Sequence, residues 1–226
     1  MERRAMEWDS GAGTLVSMDM LEQVCSRLCH DLAGPIGAIR NGLELIGDAA
    51  GPDDDGQALE LIGHSAELGA RRLRLFRLAY GRASRAGLRS FAEVRDTAQE
   101  WFAGSRTTLR WPLGQPEEGE AERPGLGRLL LNLVVLAAET IPHGGVVTVC
   151  GGGTGADAAT VTVGVTGRAI QWPPELAAAL ADAPGREALG PRTIHAAMTG
   201  RFAAHYRLAL SWETPNPETL LFRLSW

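Results

Sequence analysis

The sequence predicts an α+β protein in which an N-terminal helical hairpin precedes a domain of mixed helices and strands. Apolar residues recur every three to four positions as far as about residue 80, and shorter segments of alternating period follow. The chain has 226 residues and is 45% hydrophobic, which is enough to build a globular core. We therefore expect three parts: a flexible N-terminus (1–15), the hairpin (16–86) and the mixed domain (87–226).

The hairpin is predicted from two amphipathic stripes separated by the break at 51–56, which is rich in Gly, Pro and Asp. The first helix, from about Ser17 to Gly47, carries apolar residues at Leu21, Cys25, Leu28, Leu32, Pro35, Ile39 and Ile46, with Val24, Ile36 and Leu43 broadening one side. The second helix has its stripe at Leu59, Ile62, Ala66, Leu73, Phe76 and Tyr80, and it ends in the segment 81–87.

Two such helices leave an apolar seam uncovered, which pairing with a second copy would bury. The sequence therefore predicts a homodimer built around a four-helix bundle. The alternative is that the seam packs on the rest of the same chain.

The region after residue 88 is predicted to place a layer of helices on an antiparallel or mixed sheet. A capping-box spacing from Ser90 to Glu93 opens a helix that runs to about Phe102, and Pro124 stands in or near the first turn of a later one. The other expected elements are strands at 107–111, 145–150, 160–166, 207–214 and 219–226, a polar loop at 114–123, and helices ending at Thr140 and spanning 174–181 and 193–204.

Composition excludes several classes of function. All 22 basic residues are arginine, so a Walker lysine, a Schiff-base lysine and the catalytic lysine of protein kinases are absent. The formal charge of −5 argues against a nucleic-acid partner. The three cysteines form no CxxC pair, so neither a disulfide framework nor a zinc site is indicated, and a reducing cytoplasm fits. No apolar signal segment opens the sequence, and the apolar run 129–138 is too short to span a membrane.

His30 is the strongest candidate for chemistry. Its neighbours on the same helical face are Ala33, Gly34 and Gly37, all very small, so the imidazole stands on a bare surface. Glycines inside a helix are costly, and close approach of another protein's backbone would account for them. An exposed imidazole can act as a nucleophile, and the carboxylate of Asp31 can orient it. The alternative is a plain surface histidine, with glycines that serve packing against the second helix.

The segment 29–46, CHDLAGPIGAIRNGLELI, resembles the phosphoacceptor segment of histidine kinases, in which a proline follows the His-Asp pair. Residues 132–149 are similar to the asparagine-box helix, turn and strand of GHKL (Bergerat) nucleotide-binding domains. That similarity is degenerate: Leu136 replaces a second asparagine, and Val165 and Ala169 replace the adenine-binding aspartate and a glycine of the next box. A glycine-rich phosphate lid is also missing, so ATP binding is not expected.

An intact phosphoacceptor helix joined to a degenerate nucleotide domain resembles the ChpT-type histidine phosphotransferases of alphaproteobacteria, over nearly the whole chain after residue 15. The resemblance implies a dimer that relays a phosphoryl group, without ATP, from the receiver domain of a hybrid histidine kinase to response-regulator receivers in a cell-cycle phosphorelay. It implies no cofactor in this chain, with Mg²⁺ expected on the partner receiver. His30 would be the phosphoacceptor and Asp31 would orient or tune it. The residues expected to bind the partner are Arg27, Ala33, Gly34, Gly37 and Asn41.

Two rival functions remain open. One is an ATP-dependent histidine kinase with an unusual nucleotide site. The substitutions at Leu136, Val165 and Ala169 argue against it. The other is a non-catalytic dimeric scaffold or inhibitor that binds a kinase or response regulator without accepting phosphate. The arginines at 71, 72, 74 and 77 could attract an acidic receiver or simply form a solvated helix face.

Overall fold

A computed structural model describes residues 16–48, 52–81, 91–112, 123–152, 160–181 and 189–226. The flexible N-terminus expected at 1–15 lies outside these residues, and so does the polar loop expected at 114–123, except for Arg123. Residues 82–87, which follow the second helix, and residues 153–159, which connect the strands expected at 145–150 and 160–166, also lie outside them. Within the described ranges, no helix combines the length and apolarity that crossing a bilayer requires.

The predicted hairpin is confirmed. Helix α1 spans Met18–Asp48 and helix α2 spans Pro52–Ala79. The two helices pack along their length where small residues allow it: a Cβ at Gly69 would lie 3.6 Å from Pro35, and one at Gly42 would lie 2.6 Å from Cγ1 of Ile62. Gly42 therefore leaves no room for a Cβ between the two helices, whereas a Cβ at Gly69 would make an ordinary contact with Pro35.

The remainder of the chain forms the predicted layer of helices on a sheet. Its elements in order are α3 (Phe91–Phe102), β1 (Thr107–Arg110), α4 (Leu126–Glu139), β2 (Gly145–Gly152), β3 (Thr160–Thr166), α5 (Pro174–Leu180), α6 (Ile194–Tyr206), β4 (Ala209–Asn216) and β5 (Thr219–Ser225). The strand order is β1-β2-β3-β5-β4, in which only β1 and β2 are parallel and every other pair is antiparallel. Pro124 precedes α4 rather than lying in its first turn, since Gly125 is the N-cap and the helix begins at Leu126.

One hydrophobic core joins the helix layer to the sheet. Helix α4 is buried on nearly all sides, and the inward-facing residues of β3 alternate with half-buried ones along the strand. The last turns of α2 belong to this same core through Leu75, Phe76, Leu78 and Ala79. The end of the hairpin that holds the last turns of α2 is therefore anchored in the remainder of the chain, from α3 to β5, which we call the second region. The other end of the hairpin, where α1 ends and α2 begins, projects away from that core.

The apolar stripe predicted for α2 is divided between two faces of the helix. The residues of α2 that are buried along the hairpin include Ala58 and Ser65, whereas Leu59 and Leu73 of the predicted stripe are 61% and 58% exposed. The sequence pattern merges two faces, one that packs on α1 and one that nothing in the described chain covers. The uncovered face continues on α1 at Leu21, Ile36 and Leu43.

Candidate functional site

His30 lies on an open surface of α1. Its side chain is 87% exposed, and Nδ1 faces Oδ1 of Asp31 at 3.4 Å. When Nδ1 carries the ring proton, it donates to this carboxylate and leaves the lone pair of Nε2 directed away from Asp31. The geometry provides an accessible imidazole nitrogen that an adjacent carboxylate can orient.

The backbone carbonyl of Asp31 has a partner on α2 because Pro35 removes its partner on α1. Pro35 lacks an N–H, so the carbonyl of Asp31, four residues earlier, loses its usual partner within the helix. The guanidinium of Arg72 on α2 donates to that carbonyl instead. Arg72 therefore replaces the missing hydrogen-bond donor at the turn that carries His30. Two of the other predicted receiver-attracting arginines form ion pairs within the chain: Arg71 pairs with Glu67, and Arg74 pairs with Glu100.

The glycines near His30 have free space above them. A Cβ at Gly37 would meet nothing within 4 Å, and one at Gly34 would come no closer than 4.0 Å to a terminal nitrogen of Arg72. Packing against α2 therefore does not explain these two glycines. Ala33 and Asn41 are also exposed. A low, open surface surrounds the imidazole, as the sequence predicts, and its role in binding a partner stays a prediction.

Arg27, one turn before His30, makes contacts within the chain. Its guanidinium contacts the carboxylate of Glu139 at the end of α4 and donates to the carbonyl of Pro191 at 3.2 Å. Oε1 of Glu139 also lies 3.2 Å from Nδ1 of His195, a nearly buried histidine of α6. Arg27, Glu139 and His195 thus join the hairpin to two helices of the second region, beside the phosphoacceptor candidate.

The Glu139 carboxyl is kept ionised by these partners. Burial alone would raise its pKa, but the charge and hydrogen bond of His195, and those of Arg27, outweigh burial and hold the pKa below its usual value of 4.5. Sequence analysis missed this group and assigned His195 no partner. The three residues are far apart in the chain, and no local spacing marks them as neighbours.

Comparisons with known proteins identify the family of the chain. Residues 91–218 match the sequence model of the histidine phosphotransferase C-terminal domain. The chain is 35% identical over 164 residues to the protein phosphotransferase ChpT of Brucella abortus (strain 2308), an alignment that covers 72% of this chain and 74% of that protein. The chain belongs to the histidine phosphotransferase family. The resemblance to ChpT-type proteins is thereby confirmed.

A solved structure supports the same fold for this histidine phosphotransferase. The 1.7 Å structure of a bacterial phosphotransferase superposes with a TM-score of 0.74 at 26% identity, covering 93% of this chain and 97% of the other. The α+β class, with a helical hairpin followed by a mixed domain, is therefore confirmed for the family member described here.

The positions that resemble a nucleotide site are occupied by structural contacts. The side-chain amide of Asn132 is buried and donates to the carbonyls of Ala79, at 3.3 Å, and Arg128, at 2.9 Å. It thereby stabilises the C-terminal end of α2, whose last carbonyls lack helical partners. Leu136 and Val165 are fully buried in the apolar core. Among the described residues, no group of three or more His, Cys, Asp or Glu side chains is arranged to hold a metal ion.

Proposed function

We propose that this histidine phosphotransferase relays a phosphoryl group from the receiver domain of a hybrid histidine kinase to response-regulator receivers through a phosphohistidine at His30. The observation that carries the proposal is the exposed imidazole of His30, oriented by Asp31 on a helix face that Gly34 and Gly37 leave open. A receiver presents its aspartyl phosphate in a pocket, so a protruding imidazole on a low surface is the shape that can enter it. The family resemblance adds the expectation of a cytoplasmic, cell-cycle phosphorelay.

The proposed chemistry is a reversible displacement at phosphorus. Nε2 of His30 attacks the phosphorus of the incoming phosphoaspartate; the N–P bond forms as the bond to the aspartyl oxygen breaks, and the free carboxylate leaves. The proton on Nδ1 remains there, held toward Asp31. The second receiver's aspartate then attacks the phosphohistidine, and the same bonds change in reverse. Mg²⁺ on the partner receiver would neutralise charge on the phosphoryl oxygens, so this chain supplies no metal.

We propose further that the chain works without binding ATP. Asn132 is only 1% exposed and its amide nitrogen is bonded to carbonyls of the chain, while Leu136 offers no oxygen to a metal ion. Val165, at the position of the adenine-binding aspartate, is buried and cannot accept a hydrogen bond. Titration calorimetry with the non-hydrolysable analogue AMPPNP and Mg²⁺ tests this: no heat of binding is expected, and micromolar binding would favour a kinase instead.

We also propose that the functional unit is a homodimer. The uncovered apolar face of the hairpin includes Ile36 and Leu43 of α1 and Leu59 and Leu73 of α2, all more than half exposed. Burial of such a face against a second hairpin gives a four-helix bundle, which is the arrangement that covers an apolar stripe with the least additional structure.

The relay is tested by incubating the full chain with a purified hybrid-kinase receiver that carries labelled phosphate, after removal of ATP. Acid-labile, alkali-stable label is expected on the native chain and not on His30→Ala. Binding of the receiver to both chains without transfer to either would support the scaffold function. Label on His30→Ala would place the acceptor elsewhere.

A further inference from the structure

Arg27 stands between two carboxylates and is committed to one of them. Its terminal nitrogens contact Glu139 and the carbonyl of Pro191. Its Nε lies 3.9 Å from Oδ2 of Asp31, which is a long ion-pair contact and not a hydrogen bond. The arginine therefore directs its hydrogen bonds toward the second region of the chain rather than toward its neighbour on α1.

The spacing allows a closer pair. Arg27 and Asp31 are four residues apart on one helix, where opposite charges can pair, yet their contact is long. A two-point hydrogen bond from a guanidinium to a carboxylate is stronger than the bond from a neutral imidazole. If Arg27 were free to turn, it would compete with His30 for the Asp31 carboxylate, which now faces Nδ1 of His30.

Glu139 is itself fixed in position. His195 is 3% exposed, and its Nδ1 lies 3.2 Å from Oε1 of Glu139, the same oxygen that Arg27 contacts, so a buried side chain of α6 fixes the carboxylate where Arg27 meets it. Successive polar contacts consequently connect the interior of the second region to the exposed imidazole, in the order His195, Glu139, Arg27, Asp31 and His30.

We propose that Glu139 is a positioning residue for phosphoryl transfer: by taking the hydrogen bonds of Arg27, it keeps the contact between Arg27 and Asp31 long and leaves Oδ1 of Asp31 to orient the ring of His30. The inference rests on the proposed function, in which His30 accepts the phosphoryl group. With the proton kept on Nδ1, Nε2 remains the free nucleophile. The second region thus contributes to the reaction without touching the phosphoryl group.

The test is Glu139→Gln in the full chain. Glutamine keeps the size of the side chain but removes the charge that holds Arg27, so the arginine is expected to pair with Asp31. The nitrogen-15 chemical shifts of the His30 ring in the free protein should show population moving from the Nδ1-protonated to the Nε2-protonated tautomer. The turnover number for transfer should fall about fivefold, equivalent to about 1 kcal/mol, with KM for the receiver unchanged.

The decisive comparison is the double variant Arg27→Gln, Glu139→Gln. It lacks the arginine that would capture Asp31, so the His30 tautomer populations are expected to return to those of the native chain. If the single variant leaves the tautomers unchanged, or if the double variant keeps the altered populations, Glu139 only holds the two regions together and the proposal is wrong. Glu139→Asp, which retains the charge on a shorter stem, should show a smaller shift in the same direction and serves if Glu139→Gln does not fold.

The failure of this inference and the failure of the proposed function give different results. Label on the His30→Ala chain contradicts the phosphoacceptor role of His30. The ring shifts of His30 are measured in the free protein without any phosphoryl donor, so they report on Glu139 whichever residue accepts the phosphate.

Discussion

Gly37 offers a direct test of the open surface around His30, because stability and docking should respond to its substitution in opposite directions. The residue lies seven positions after His30 on the same face, about 10 Å along the helix. Nothing in the chain lies within 4 Å of a Cβ placed there. Alanine is favoured over glycine inside a helix by about 0.5–1 kcal/mol, and no clash offsets the gain. Gly37→Ala should therefore raise Tm by about 1–4 °C.

A larger side chain at Gly37 should interfere with the receiver instead. The leucine of Gly37→Leu has room in the isolated protein, but its side chain would stand where a docked receiver packs. Forcing extra methylene groups into a packed contact costs about 1–3 kcal/mol, and each 1.36 kcal/mol is a factor of about ten. We expect kcat/KM for transfer from a phosphorylated receiver to fall by about 5- to 150-fold, mainly through KM.

Thermal unfolding by circular dichroism and initial rates of label transfer measure the two effects. Gly63 of α2 is the matched control, since a Cβ there also meets nothing within 4 Å. Gly63→Ala should give a similar gain in Tm and leave transfer unchanged. The reasoning is refuted if folded Gly37→Leu transfers at the native rate, which would mean that receivers do not dock over this turn of α1.

Three further experiments test the surroundings of the site. The pKa of Glu139 in the folded chain lies below its usual value, so its contribution to the free energy of unfolding is present at neutral pH and is lost as the pH falls below 4.5. Urea titrations should show that the difference in the free energy of unfolding between the native chain and Glu139→Gln becomes smaller toward acid pH. A difference that does not change with pH would contradict this. Asn132→Ala should lower the free energy of unfolding by about 1–3 kcal/mol, because the Ala79 carbonyl loses a donor, and transfer below the unfolding temperature should persist; a chain of native stability with no transfer would assign Asn132 a different role. Leu43→Glu and Leu73→Glu place charges on the uncovered apolar face and should shift sedimentation from dimer to monomer, whereas two intact dimers would locate the interface elsewhere.

Local signals account for the elements that sequence analysis predicted well. The first helix was expected at 17–47 and spans Met18–Asp48, because its apolar period is long and is followed by a clear break. The capping box before Phe91 marks the start of α3 in the same way. Signals of this kind depend on neighbouring residues only, so a single sequence is enough to read them.

Contacts between distant parts of the chain could not be predicted in this way. Arg27 and Glu139 are 112 residues apart, and Glu139 and His195 are 56 apart, so no spacing rule brings them together. Leu59 and Leu73 fit a helical stripe equally well whether they face α1 or a partner, so the sequence pattern does not show which residues of α2 pack on α1. The sequence shows that Pro35 removes a hydrogen bond from the first helix. That Arg72 supplies the replacement donor can be seen only in the folded structure.

The most direct measurement is to locate the phosphoryl group after transfer from a receiver. Trypsin cleavage after Arg27 and Arg40 releases residues 28–40, which contain His30 and no serine, threonine or tyrosine. Fragmentation of this peptide at neutral or alkaline pH should place the phosphoryl group on His30, in an amount that rises and then falls when a second receiver is added. An unmodified peptide 28–40 from a chain that carries label would contradict the central claim that His30 relays the phosphoryl group.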